Sequence, residues 1–351
     1  MSALRLHPAR FPTISLRCAG WIKGLAILLM IAHHAFGLPG LIAPENTPAE
    51  VIPGLPLAYW IGRFGKICVA VFLFLSGYGF AMRMKDGAAP PWGYFAGKAW
   101  RFLLAYWPYF LLALVIGNLF FQQRLPSGNL RFPADPVNIV LNALTLRYHM
   151  AYEWWFAQTY LLLVLLARPL LQASKRPLVL LLASLAGFAL GAVLDVIKLD
   201  PTPISFANLL IWQLPFVCGV LAARWEVPVP ALVGARTAAW LALAAVLAGF
   251  ALAEWIAPAA MTPYLILATP AFMIALVTLW GGADNRATAL LGWLGGLTLG
   301  LWLVHPFLCY YFAQDWIYAP HWAPLVFAFL LAASLAVVVP VEWVMRKVMP
   351  Q

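Results

Sequence analysis

Residues 18–38 read CAGWIKGLAILLMIAHHAFGL. The run matches the roughly 20 apolar residues that a helix needs to cross a bilayer. It nevertheless carries Lys23, His33 and His34. Ionisable groups at membrane depth are costly, so each is a candidate for function. On a helix, Lys23 and His34 differ by only about 20° in azimuth and stand roughly 16 Å apart. They share a face, with Lys23 near one membrane surface and His34 toward the other. His33 is rotated by about 100° and is expected to face elsewhere, as a packing or supporting residue. The length of the run and its charges argue against a cleavable signal peptide.

The rest of the chain repeats this pattern. Of 351 residues, 64% are hydrophobic and 10% charged, against about 45–50% and 25% in soluble domains. This composition excludes a disordered chain, a soluble α/β enzyme, a coiled coil and a secreted disulfide scaffold. Cys18, Cys68, Cys218 and Cys309 are dispersed in apolar segments without a CxxC pair, which suggests neither zinc nor a disulfide framework. Apolar runs bounded by charges, Pro and Gly predict spans near 18–38, 58–82, 99–121, 153–171, 177–194, 205–223, 236–256, 262–281, 289–313 and 323–345. The expectation is an all-α, polytopic bundle of about ten spans forming one integral-membrane domain over 1–351, with its core at about 16–346. The run at Val137–Leu146 is too short to cross and is expected at the interface.

The net charge of +10 reads as the cytoplasmic excess of Lys and Arg, not as a nucleic-acid footprint. With both termini cytoplasmic, the other side receives only Arg124, Arg131, Arg147 and Lys198. It also receives most acids, among them Glu45, Glu50, Asp135, Asp195, Asp200, Glu254 and Asp315. The longest connections are the outer Pro39–Pro56 and Gln122–Tyr152 stretches and the inner Lys85–Gly97 loop. Active-site loops are expected among them.

Each remaining polar group has a structural and a functional reading. Lys23 either snorkels to headgroups or lines a pocket. Arg63 and Lys66 share a face of the second span and either snorkel outward or line a polar cavity. Lys98 and Arg101 form another basic pair, either topogenic or gripping the phosphates of a cytosolic ligand. Glu153 opens Glu-Trp154-Trp155-Phe156, where the tryptophans are interfacial anchors or substrate contacts. The carboxylate is either solvated or orients a histidine. Gly292, Gly296 and Gly300 offer a small-residue packing face, and Pro306 after His305 predicts a kink beside an imidazole. His149 and His321 are expected at interfaces.

Four segments together resemble a known family. Lys23-Gly-Leu-Ala-Ile-Leu-Leu-Met-Ile-Ala-His33-His34 is similar to its first-helix signature. Phe64-Gly-Lys-Ile-Cys-Val-Ala-Val-Phe-Leu-Phe-Leu-Ser76-Gly77-Tyr78-Gly79 is similar to its second. Glu153-Trp-Trp-Phe and Leu301-Trp-Leu-Val-His305-Pro306 resemble two more. The family is the acyltransferase 3 family of integral-membrane acyltransferases, and the chain looks like members that O-acetylate bacterial surface polysaccharides. The resemblance covers about Leu16 to Leu308. Each motif is short and apolar; their order and spacing carry the specificity.

The resemblance implies a ten-helix core in the bacterial inner membrane, acetyl-CoA as cytoplasmic donor substrate, no permanently bound cofactor and a carbohydrate hydroxyl as acceptor. It puts His34 on the essential histidine, Lys23 on the first-helix basic position, Lys98 and Arg101 on a basic pair, and His305 on the late histidine. Lys98 stands where the pattern has Arg. The expected mechanism has CoA held by Lys98, Arg101 and Lys23, and His34 as general base. Glu153 would orient its ring, with His33 nearby. His305 or Arg63 would face the oxyanion, and Lys66, Trp154 and Trp155 would line the acceptor path. An acyl-histidine relay stays open. The competing class is a transporter or lipid-linked-sugar flippase, since intramembrane cations suit transport too. No span pair, however, shows interrupted, symmetry-related helices. A structural scaffold would leave the buried charges unexplained.

Overall fold

The computed structural model describes residues 6–48, 57–125, 128, 130–197, 205–230 and 234–348, with 6–10 and 226–230 described by backbone alone. Glu50, Lys198 and Asp200, placed on the outer side from sequence, lie outside the described residues. Apolar sequence and main-chain self-satisfaction make helices the natural element here. The helices are α1 (Leu16–Phe36), α2 (Leu57–Phe64), α3 (Ile67–Ala81), α4 (Trp92–Phe120), α5 (Pro136–Ala143), α6 (Trp155–Ala173) and α7 (Pro177–Val196). Then follow α8 (Phe206–Ala222), α9 (Ala235–Ile256), α10 (Met261–Trp280), α11 (Arg286–Gly296), α12 (Thr298–Pro306), α13 (Gln314–Tyr318) and α14 (Ala323–Val348).

Among the described residues, eight helical stretches are long and apolar enough to cross a membrane, α2 and α3 counting as one. A ninth, α11 with α12 and the following turn, is bent by 68°, and α8 is a shorter apolar helix. The expected interfacial segment is the short α5, capped by Asp135.

The architecture is all-helical as expected, with one short strand pair beside it. β1 (Leu6–Arg10) pairs antiparallel with β2 (Glu226–Pro230). The start of α1 and the end of α8 therefore lie at one end of the bundle. Arg17 and Asp284 also pair, which brings the α10–α11 connection to that same end.

Glycines set the closest helix contacts, but not all those anticipated. A Cβ on Gly24 would stand 1.9 Å from the Leu291 carbonyl oxygen, and one on Gly295 would stand 2.1 Å from that of Gly20. Between α3 and α8, Gly77 faces the Phe216 carbonyl and Gly219 that of Phe74. Gly292 and Gly296 would meet nothing within 4 Å, whereas Gly300 lies against Tyr109 and Val338. The expected four-residue face is thus replaced by Gly295 with Gly20 and Gly24. The reason is the bend after Gly296, which turns the later part of the segment toward α4 and α14. The bend also corrects the expected kink at Pro306. It falls at Leu297, and beyond Pro306 the chain widens into a π-helical turn, Phe307–Phe312.

Candidate functional site

The site begins where α2 lies across the end of α1. Gly62 and Gly65 allow this approach: a Cβ on Gly62 would be 2.5 Å from the Gly37 nitrogen, and one on Gly65 would be 2.2 Å from the Leu29 carbonyl oxygen. The Gly62 carbonyl then accepts from His33 Nδ1 at 2.8 Å. The other ring nitrogen of His33 is buried without a hydrogen-bond partner among the described residues.

His34 meets His305. Their rings stack with centroids 4.8 Å apart, and His34 Nδ1 lies 2.6 Å from His305 Nε2. His305 Nδ1 lies 2.7 Å from the Leu301 carbonyl oxygen. That oxygen can only accept, so His305 carries its proton on Nδ1. With the imidazoles neutral, His305 Nε2 is then an acceptor and His34 Nδ1 the donor. The chain of bonds leaves the lone pair of His34 on Nε2. The tautomers are fixed by the network.

A small cavity of about 20 Å³ joins these groups, room for about one water. Its walls include His33, His34, Lys66, Glu153, Trp155 and Trp302. His33 was expected to point elsewhere. It shares the cavity because α2 covers that side of α1, so the cavity wraps around the helix. Lys66 Nζ stands 5.7 Å from the centre of the Trp155 ring.

Several expected roles change with this geometry. Among the described residues no hydrogen bond joins Glu153 to the His34 ring; its Oε2 accepts from the Tyr311 hydroxyl at 3.0 Å. His305, not Glu153, orients His34. Arg63 is bound by Glu254 through Nε at 2.9 Å and Nη2 at 3.0 Å, and Tyr59 also donates to Glu254 at 2.9 Å. A guanidinium so engaged with a buried carboxylate is a packing element, unsuited to an oxyanion or substrate contact. His305 is likewise occupied at both nitrogens, which leaves no donor for an oxyanion. Trp154 is 2% exposed, sandwiched by Tyr106 and Phe307, and donates to the Leu303 carbonyl. It holds α12 in position and does not face the cavity, as Trp155 does.

A second cavity of about 180 Å³ leads away along α1. Lys23, Ser76, Phe102 and Tyr160 line it, and Met30, Phe156 and Trp302 belong to both walls. At its Lys23 end, Lys98 stands within electrostatic reach of Arg101, Arg83 and Lys23. Arg101 is exposed, and Lys98 stacks toward the Tyr94 ring. An apolar groove of about 520 Å³ between α1, α2 and α14 contains no titratable side chain and offers no chemistry.

A family model described as an acyltransferase domain matches residues 18–343. The chain belongs to the acyltransferase 3 family. No curated protein and no solved structure matches it. This acyltransferase is a multi-pass membrane protein, and the matched residues include every group of the His34 cavity.

Sequence reasoning missed Tyr310 and Tyr311, and it placed Glu254 among the outer acids without its Arg63 partner. Tyr310 donates to the His34 carbonyl at 2.6 Å and Tyr318 to that of Ala35 at 3.0 Å, tying the turn after His305 to the end of α1. The signal of Tyr310 and Tyr311 was present, as polar aromatics about one helical turn beyond His305-Pro306. Outside the spans, His149 is pulled below its ordinary pKa by burial and by the neighbouring Arg147 and Arg131.

Proposed function

We propose that the protein transfers an acyl group, most simply acetyl, from cytoplasmic acyl-CoA to a hydroxyl of a cell-surface or lipid-linked carbohydrate in the bacterial inner membrane. The observation that carries this reading is the Leu301–His305–His34 hydrogen-bond chain, which leaves a basic nitrogen at the inner end of a channel starting at Lys23. The basic cluster of Lys98, Arg101, Arg83 and Lys23 suits the phosphates of CoA. The channel suits its thioester-bearing arm, since Lys23 and His34 stand roughly 16 Å apart on one helix face.

His34 Nε2 would take the acceptor hydroxyl proton as the oxygen attacks the thioester carbonyl carbon. The C–S bond then breaks, and the thiolate recovers the proton from His34. His305 holds the ring and spreads the imidazolium charge through its bond, while Glu153 faces the same cavity. The Lys66 ammonium makes no hydrogen bond to a described residue, which suits it to the oxyanion. Trp155 fixes its direction. The free Nε2 of His34 is also compatible with a transient acyl-histidine.

Ten crossings with both termini cytoplasmic accommodate these elements. Strand pairing of residues 6–10 with 226–230 favours an even number of crossings through α8, and α1, α2–α3, α4, α6 and α7 supply five. The sixth is then α8. The family assignment disfavours a transporter without chemistry.

The test uses acetyl-CoA and the purified, lipid-reconstituted protein. Acetyl-CoA should bind, and Lys98→Ala with Arg101→Ala should weaken binding by about 2–5 kcal/mol, as for desolvated charge contacts. Unaltered affinity in the double variant would return the pair to a topogenic role.

A further inference from the structure

On the far side of Glu153 from His34 lies a third cavity, of about 700 Å³. Arg131, Arg147, His149, Tyr148, Tyr152 and Tyr311 line it. No carboxylate does so among the described residues. The nearby Asp135 is committed to Asn138, accepting from its amide and its side chain, both at 2.9 Å. Neither arginine has an ion-pair partner among the described residues. Arg147 bonds the Asn138 side chain. Arg131 donates to Gln123 at 3.2 Å and stacks 4.4 Å above the Tyr311 ring. Topogenesis does not account for these cations, because they stand on the side that the charge pattern otherwise leaves poor in Arg and Lys.

Tyr311 links this cavity to the reactive one. Its ring faces Arg131, and its hydroxyl donates to Glu153, a wall of the His34 cavity. One hydrogen bond thus joins a wall residue of each space. Aromatic faces beside guanidinium groups suit a sugar ring bearing an anionic substituent: the rings cover its C–H face and the forks grip carboxylate or phosphate.

We propose that this cavity is the acceptor site and that it selects an anionic carbohydrate. Arg131 and Arg147 hold the negative group, and Tyr311 turns a hydroxyl past Glu153 toward His34. The proposal rests on the acyl-transfer reading for its purpose but not for its measurement, which needs no turnover.

The experiment measures binding to the full chain in phosphatidylcholine nanodiscs without acetyl-CoA. The probes are a hexuronate oligosaccharide, a neutral oligosaccharide of equal length, and a sugar phosphate of the kind carried by lipid-linked intermediates. The expected result is binding of at least one acidic probe, tighter than the neutral one by roughly tenfold or more for each charge-assisted contact. The better acidic arm assigns carboxylate or phosphate. Arg131→Gln with Arg147→Gln should remove the preference, and the double Lys variant should keep part of it, which separates recognition from misfolding. Equal binding of acidic and neutral probes, or a preference that survives the double Gln change, would overturn the site. So would loss of the preference when phosphatidylglycerol replaces the neutral lipid, because that marks a headgroup site. Acid-selective binding in a protein that transfers no acyl group would instead sink the catalytic reading while leaving the site standing.

Discussion

The chemistry of His34 depends on a residue far away in sequence. His305 Nε2 accepts the hydrogen bond of His34 Nδ1–H, and the Leu301 carbonyl decides which nitrogen of His305 can do so. Removing His305 should therefore free the His34 ring to adopt the wrong tautomer. His305→Phe should slow acyl transfer by roughly 10–100-fold, the usual cost of losing an orienting partner. His305→Gln keeps an acceptor for Nδ1–H and should retain much of the rate. Equal loss in both would mean that His305 acts through packing. Arg63 gives a contrasting expectation. Its change to Ala leaves Glu254 buried and unpaired, which should destabilise the fold by about 3 kcal/mol. Turnover per folded molecule should stay near normal. A thermal melt in detergent beside an activity assay separates the two quantities. The candidates His34, His305, Lys66 and Glu153 were legible because charge in an apolar run is conspicuous. Their partners were not, since the pairing of His34 with His305 and of Glu153 with Tyr311 depends on how separate helices rotate against each other.

Helix packing turns on a few bare backbones. Gly295 touches the Gly20 carbonyl, whereas its neighbour Gly296 has open space. Gly295→Ala should force α11 away from α1 and cost about 1–3 kcal/mol, the range for overpacking. Gly296→Ala should be nearly neutral. Melting temperatures of the two variants in the same detergent check the contrast, and a larger drop for Gly296→Ala would contradict it. The sequence gives the existence of the small-residue segment but not its register, because a helix that breaks at Leu297 does not continue its azimuth. The π-helical turn after Pro306 was hidden for a similar reason. Proline announces a lost hydrogen bond, but the way neighbouring carbonyls are re-satisfied depends on tertiary partners such as Trp154, which donates to the Leu303 carbonyl.

At the scale of the molecule, hydropathy located almost every long helix within a few residues, since the bilayer imposes length and apolarity directly. The 99–121 span was the main shortfall. Its helix begins at Trp92, because Lys98 and Arg101 sit on a helical extension that polarity alone reads as a boundary. The small strand pair was invisible, as five-residue segments carry little periodic signal. Ten crossings predict that cysteines introduced near Arg10, Glu226 and Lys347 react from one side of the membrane and cysteines near Glu45 and Arg147 from the other. Labelling Lys347→Cys from the side opposite Arg10→Cys would overturn the even count.

In the proposed mechanism His34 is the base of an acyl transfer between a channel at Lys23 and a cavity at Tyr311. The most direct measurement follows labelled acetyl from acetyl-CoA to carbohydrate in proteoliposomes holding equal amounts of wild-type and His34→Ala protein. The account predicts transfer by the wild type. It predicts a fall of about 10²–10⁴ in rate for the variant, with acetyl-CoA binding and thermal stability largely retained. Transfer at the full rate by His34→Ala would contradict it.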